Sequence, residues 1–137
     1  MIKQIYLNLP VKDLTKSMDF FSHLGFKFNN QFTDETAACM VLGENIFVML
    51  LTEEKFSQFT DRKIADGHQT SEMLIAIDAP SRKAVDEMVI KALEVGASLY
   101  SKPKDHGWMY QNAFADLDGH QWEVLFMDEE ALRKQTA

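Results

Sequence analysis

Apolar and polar residues alternate along residues 2–9. Ile5, Leu7 and Leu9 fall on one side, and Gln4, Tyr6 and Asn8 on the other. A period of two predicts a half-buried β-strand, and Pro10, which has no N–H to give a sheet, is expected to end it. The period then changes. Leu14, Met18, Phe21 and Leu24 recur at helical spacing behind Asp13, a favourable N-cap, and Gly25 supplies a left-handed closing residue. Residues 26–28, 37–42 and 46–51 read as three more strands, the last two joined by Gly43-Glu44-Asn45 as a hairpin loop.

The same order then returns. Residues 72–77 alternate, with Met73, Ile75 and Ile77 on one face and Glu72, Leu74 and Ala76 on the other. Ser81 caps a helix with an apolar stripe of Val85, Met88, Val89, Ala92 and Leu93, and Gly96 closes it. Residues 97–100 read as a short strand, and residues 109–116 and 121–126 as a second hairpin around the turn signal Asp118-Gly119. In its last strand Trp122, Val124 and Phe126 share one face, while Gln121, Glu123 and Leu125 share the other. Glu123 is thus a carboxylate in the middle of an apolar strand. Burying it is costly unless it meets a metal, a cation or hydrogen-bond donors. The strand therefore lines a functional pocket or keeps one face in water.

Strand-helix-strand-strand-strand occurs twice, and residues 42–48 lie over residues 117–123 in the two hairpins. This internal repeat predicts a single α+β domain of two tandem βαβββ modules. Module one spans 1–52, a linker 53–70, module two 71–127 and a polar tail 128–137. The linker carries Phe56, Phe59 and Ile64 among charges, which suits a short amphipathic helix and a loop with aromatics packed on the sheet. The tail reads as a frayed helical turn.

Composition narrows the partners. Fourteen basic against 21 acidic residues give a net charge of −7 with no basic cluster, which argues against nucleic acid and anionic membranes. No apolar run approaches transmembrane length, and the N-terminus runs directly into a strand pattern instead of a signal peptide. One cysteine, Cys39, excludes an internal disulfide and fits a reducing cytoplasm, and its apolar neighbours make it a small buried hydrophobe. The phenylalanines Phe20, Phe21, Phe26 and Phe28 read as core. His23 suits a helix C-terminus, His68 lies in the linker, and His120 is expected to be exposed on the second hairpin turn.

Three segments carry a family resemblance: residues 7–14 with Ser17, Phe20, Phe21 and Leu24-Gly25-Phe26; residues 72–78 with the helix up to Gly96; and Asp116-Leu117-Asp118-Gly119 followed by Trp122-Glu123. Together they resemble the vicinal oxygen chelate superfamily, which includes glyoxalase I, bleomycin and fosfomycin resistance proteins and extradiol dioxygenases. The resemblance implies an open, cupped mixed sheet with helices outside, a ligand in the cup, often a divalent metal, and a homodimer. It places the metal positions at Tyr6, Val48, Glu72 and Glu123. Of these only Glu72 and Glu123 are ordinary ligands, so no metal is expected to be obligatory. Two carboxylates with waters, and His106 swinging in, would hold Mg, Mn, Ni, Zn or Fe.

Two other roles are open to the carboxylates: a metal-free acid–base pair, in which one of two close carboxyls titrates high, or ordinary solvated side chains. His106-Gly107-Trp108-Met109-Tyr110 offers aromatic walls with polar tips for a small planar ligand, or simply packs a strand. Asn8 and Tyr6 are candidate ligand contacts on the first strand. The leading expectation is a small-molecule binder of the resistance-protein kind, with Asn8, Tyr6, His106, Trp108 and Tyr110 around the ligand and Glu72 and Glu123 as acid–base groups. The alternative is a metal-dependent lyase, isomerase or dioxygenase with its metal on Glu72 and Glu123.

Overall fold

A computed structural model describes residues 1–136, the side chain of Thr136 excepted. The chain divides into two compact units, Met1–Asp66 and the remainder from Gly67. Among the described residues no helix is long and apolar enough to cross a membrane.

The first unit runs β1 (Ile5–Val11), α1 (Leu14–His23), β2 (Lys27–Asn29), a 3-10 turn, β3 (Ala37–Gly43), β4 (Ile46–Thr52) and α2 (Glu53–Ser57). Its strands form one mixed sheet in the order β1-β4-β3-β2, with β1 and β4 parallel. Asp13 caps α1 by accepting the Lys16 N–H at 3.0 Å, and Gly25 leaves the helix at φ +102°. The sheet buries Leu9, Val11, Val48, Leu50, Ala38 and Met40, and α1 buries Leu14, Ser17, Phe20 and Phe21. Pro10 does not end β1, which continues to Val11. Because β1 pairs with β4 alone in its sheet, it is an edge strand, where a missing N–H costs no ladder bond. The linker helix forms as expected, but Phe59 stays exposed beneath the Lys55 ammonium, 5.6 Å from its ring centre, instead of packing on the sheet.

The second unit repeats the plan with β5 (Leu74–Asp78), α3 (Arg82–Glu94), β6 (Lys104–Asp105), β7 (Met109–Ala115), β8 (Gln121–Met127) and α4 (Glu129–Thr136). Its sheet order, β5-β8-β7-β6, is the first unit's order over again, with β5 and β8 parallel. Ser81 caps α3 on the Ala84 N–H at 3.0 Å. Residues 97–100 do not form a strand; they contribute a single bridge, Ser98 to Ala115, and the edge of the sheet is β6. The tail is a regular helix, capped by Asp128, whose carboxylate accepts the Ala131 N–H at 3.1 Å.

Candidate functional site

Side-chain alternation in the second sheet separates a helix-covered face from an open one. Trp122, Val124 and Phe114 are fully buried on the covered face. On the open face Ala76 of β5 and Ala113 of β7 stand opposite Glu123, so the carboxylate sits between two small residues. Gln111 Nε2 donates to Glu123 Oε2 at 3.5 Å, a long contact that takes up only part of the carboxylate's acceptor capacity. Near the start of β8, the Ser71 hydroxyl donates to the Gln121 amide oxygen.

The Ser98–Ala115 bridge delivers Tyr100 to the same neighbourhood. Its hydroxyl donates to the Trp122 carbonyl at 3.4 Å. Burial, and then the negative charge of Glu123, push the phenol up to about 12. Tyr100 therefore keeps its proton, directed at the Trp122 carbonyl. Sequence reading passed over both Tyr100 and Gln111. The available signal was parity: Gln111 faces Leu125 across the hairpin, on Glu123's side.

Glu72 lies outside β5, in an exposed bend. The strand begins at Leu74 because its pairing with β8 begins there, opposite Gln121. Glu72 is four residues upstream of Ala76, the residue opposite Glu123, or about 13 Å along extended chain. Tyr6 and Leu74, not Tyr6 and Glu72, stand equally far ahead of the N-caps Asp13 and Ser81.

Val48 also moves. It is fully buried on the covered face, paired with Leu7 and Met40. Five residues separate Val41 from Phe47 and five separate Ala115 from Gln121, so the two hairpins align with these pairs superposed. Overlaying residues 42–48 on 117–123 is therefore off by one: Val48 matches Trp122, and Met49 matches Glu123. Tyr6 and Asn8 share the first sheet's other face with Phe47 and Met49, their partners in β4, and Tyr6 stacks on Phe47 at 5.0 Å.

These donors do not fit the divalent site that the resemblance implies. Of the equivalent strand positions, Tyr6, Met49, Leu74 and Glu123, one is a carboxylate and none is an imidazole. Among the described residues no group of three or more His, Cys, Asp or Glu side chains is gathered so as to hold a metal ion.

The aromatic segment forms the tip of the β6–β7 hairpin, closed by the His106 N–H on the Met109 carbonyl at 2.8 Å. His106 is exposed and Trp108 half-buried, their rings 6.3 Å apart. Tyr110 pairs with Phe126 and so belongs to the covered face, opposite to Glu123. Its hydroxyl donates to Asp86 Oδ1 of α3 at 2.7 Å, and the Asn112 amide reaches the same oxygen at 3.2 Å. That hydrogen bond first, then burial and the Asp86 charge, push the Tyr110 phenol up to about 12.

Asp116, in the second hairpin motif, is a carboxylate whose burial the sequence pattern does not predict. Asp116 accepts the N–H groups of Asp118 and His120 and the Trp122 indole N–H, each at 3.0 Å. Burial raises its pKa, while the nearby His120 imidazole and the three donors pull the other way. His120 is accordingly half-buried beside Asp116, not exposed. The Asp116 cluster organises the loop that leads into β8 and fixes where Glu123 stands.

Residues 3–43 match the family described as bleomycin resistance protein-like N-terminal. No curated protein sequence matches the chain. Among solved structures, a hypothetical protein from S. aureus superposes with a TM-score of 0.79 at 28% identity, over 92% of this chain and 94% of its own. A glyoxalase/bleomycin resistance protein/dioxygenase family enzyme from Burkholderia phytofirmans gives 0.74 at 18% identity, over 89% and 96%. The fosfomycin resistance protein FosX from Listeria monocytogenes, complexed with Mn(II) and sulfate, gives 0.70 at 19% identity over 100% of both chains. The chain therefore has the fold of the glyoxalase/bleomycin resistance/dioxygenase, or vicinal oxygen chelate, superfamily, with a bleomycin-resistance-protein-like N-terminal segment.

Proposed function

We propose that this chain binds a small molecule on the open face of its second sheet without an obligatory metal. Glu123 accepts from the ligand, Gln111 keeps a second amide N–H to donate, and the Tyr100 oxygen, its proton directed at the Trp122 carbonyl, accepts. The observation that carries the reading is Glu123 itself, a carboxylate on an open strand face, flanked by Ala76 and Ala113, with acceptor capacity to spare. A site of this kind suits a small aromatic compound bearing an N–H or O–H group. Tyr6 and Asn8 give the first unit's open face its own polar contacts. The protein is proposed to work in the cytoplasm as a homodimer, in keeping with the exposed Ile5 and Tyr6 on edge strand β1.

The Mn(II)-bound FosX neighbour supports a second reading, a metal-dependent lyase, isomerase or dioxygenase. Thermal-shift screening of aromatic ligands in excess chelator, alongside metal analysis of untagged protein, separates the two. The binding reading expects stabilisation by a ligand in chelator, lost in Glu123→Gln and weakened in Tyr100→Phe. One equivalent of a single divalent ion, lost in Glu123→Gln, would overturn it in favour of the metalloenzyme.

A further inference from the structure

Arg82 is oddly placed. It is the first residue of α3, where the helix dipole disfavours a cation. It nevertheless draws several polar groups of the second unit together. Its Nη2 donates to the Gly107 carbonyl at 2.9 Å and lies 3.6 Å from Asp105 Oδ1. Its Nη1 lies 3.5 Å from Asp128 Oδ2, and the guanidinium covers the Phe126 ring at 5.6 Å. Single ion pairs this exposed are weak. A rigid planar fork engaged at several points is another matter, because ordering it once serves every contact.

Each carboxylate also has a local task. Asp105 Oδ1 accepts the Gly107 N–H at 2.9 Å, which shapes the hairpin tip, and Asp128 caps α4. The two sites touch directly as well, since the Asp128 N–H donates to the Trp108 carbonyl at 2.7 Å. Gly107 stands at the tip with φ +83°, its N–H and carbonyl both engaged, by Asp105 and Arg82.

We infer that Arg82 is a latch joining the His106–Trp108 flap to the start of α4, so that the aromatic flap and the C-terminal helix open and close as one. This coupling does not depend on what the open face binds. Moving either element breaks the same fork, so a ligand that captures Trp108 would be felt at α4, and removal of α4 would loosen the flap.

Residue-resolved hydrogen exchange of the full chain tests this. The amides to follow are His106 and Gly107 in the flap and Asp128, Ala131 and Leu132 at α4. Arg82→Gln is expected to speed exchange at both ends together, on the order of ten-fold, with Val124 in the core unchanged. Arg82→Lys, which keeps the charge and loses the fork, is expected to fall between, and it serves alone if the glutamine variant does not fold. Asp105→Asn should speed exchange at Ala131 in the parent but not in the Arg82→Gln background. Loosening at one end only, at neither end, or a distant effect of Asp105→Asn that persists without Arg82 would overturn the latch.

Discussion

Gly107 and Gly119 form a matched pair that isolates how the linker holds the loop before β8. Both have φ +83°, a conformation that costs an L-residue about 1–2 kcal/mol. Their surroundings differ. A Cβ at Gly107 meets nothing within 4 Å, whereas one at Gly119 would stand 2.5 Å from the Gly67 carbonyl carbon and 2.6 Å from the His68 nitrogen. Both obstacles are backbone, so no change of rotamer relieves them. Conversely, a Cβ at Gly67 would stand 2.6 Å from the Asp118 carbonyl oxygen. Gly107→Ala is therefore expected to cost the conformational strain alone, about 1–2 kcal/mol. Gly119→Ala adds overpacking of about 1–3 kcal/mol, and Gly67→Ala carries the overpacking without that strain. Once one methyl has lifted the linker, taking the His68–Leu117 contact (3.2 Å) with it, the second meets no wall. The double variant Gly67→Ala/Gly119→Ala should thus fall short of the sum by about 1–3 kcal/mol. Urea unfolding followed by the buried Trp122, at constant m, measures all four differences. A Gly119→Ala cost within about 0.5 kcal/mol of Gly107→Ala, or strict additivity in the double variant, would refute this account of the contact.

Two further outcomes follow from the site. Titrating the tyrosinate absorbance should show Tyr100 and Tyr110 ionising near 12 rather than 10. Because their folded values lie above the unfolded ones, the stability they contribute is complete below pH 10 and is lost as pH rises through 12. Glu123→Gln should bring Tyr100 down and leave Tyr110 in place, while Asp86→Asn should do the reverse; no response of Tyr100 to Glu123→Gln would separate the two groups. Val48→Glu buries an unpaired charge and should cost about 3–5 kcal/mol, whereas Met49→Glu, half-buried on the other face, should cost less. Equal costs in chemical denaturation would reverse the face assignment of β4.

The parts of the fold that the sequence reveals are those set by local chemistry. Asp13 and Ser81 cap their helices because a short acceptor precedes an apolar stripe, and Gly25 and Gly96 leave them with positive φ, so the repeat is visible without coordinates. What is hidden depends on pairing. Which residues pair across each hairpin has no compositional mark, yet it aligns Val48 with the buried Trp122 and not with Glu123. Glu72 alternates correctly with Leu74, but the strand reaches only as far as its partner does. Tyr100 reaches Glu123 through one isolated bridge, and Asp116 is buried because a tryptophan six residues later donates to it. Periodicity carries no information about any of these contacts.

The two units share what folding demands and differ where it demands less. Sheet order, cap positions and the buried pairs Met40–Val48 and Phe114–Trp122 correspond, because each covered face must exclude water to hold its helix. The other face is under less of that demand, being buried only in part, at Cys39 and Leu51 in the first unit and Ala113 and Ala115 in the second. In the first unit its β1 and β4 positions hold Tyr6, Asn8, Phe47 and Met49; in the second, Gln111, Gln121 and Glu123 line the strands and Tyr100 stands nearby. Neither set gathers metal ligands, but the second places a carboxylate with spare acceptor capacity beside a phenol that keeps its proton. That difference in chemistry is why ligand recognition is proposed for the second unit, although the bleomycin-resistance-like match, residues 3–43, lies in the first and leaves Glu123 outside it.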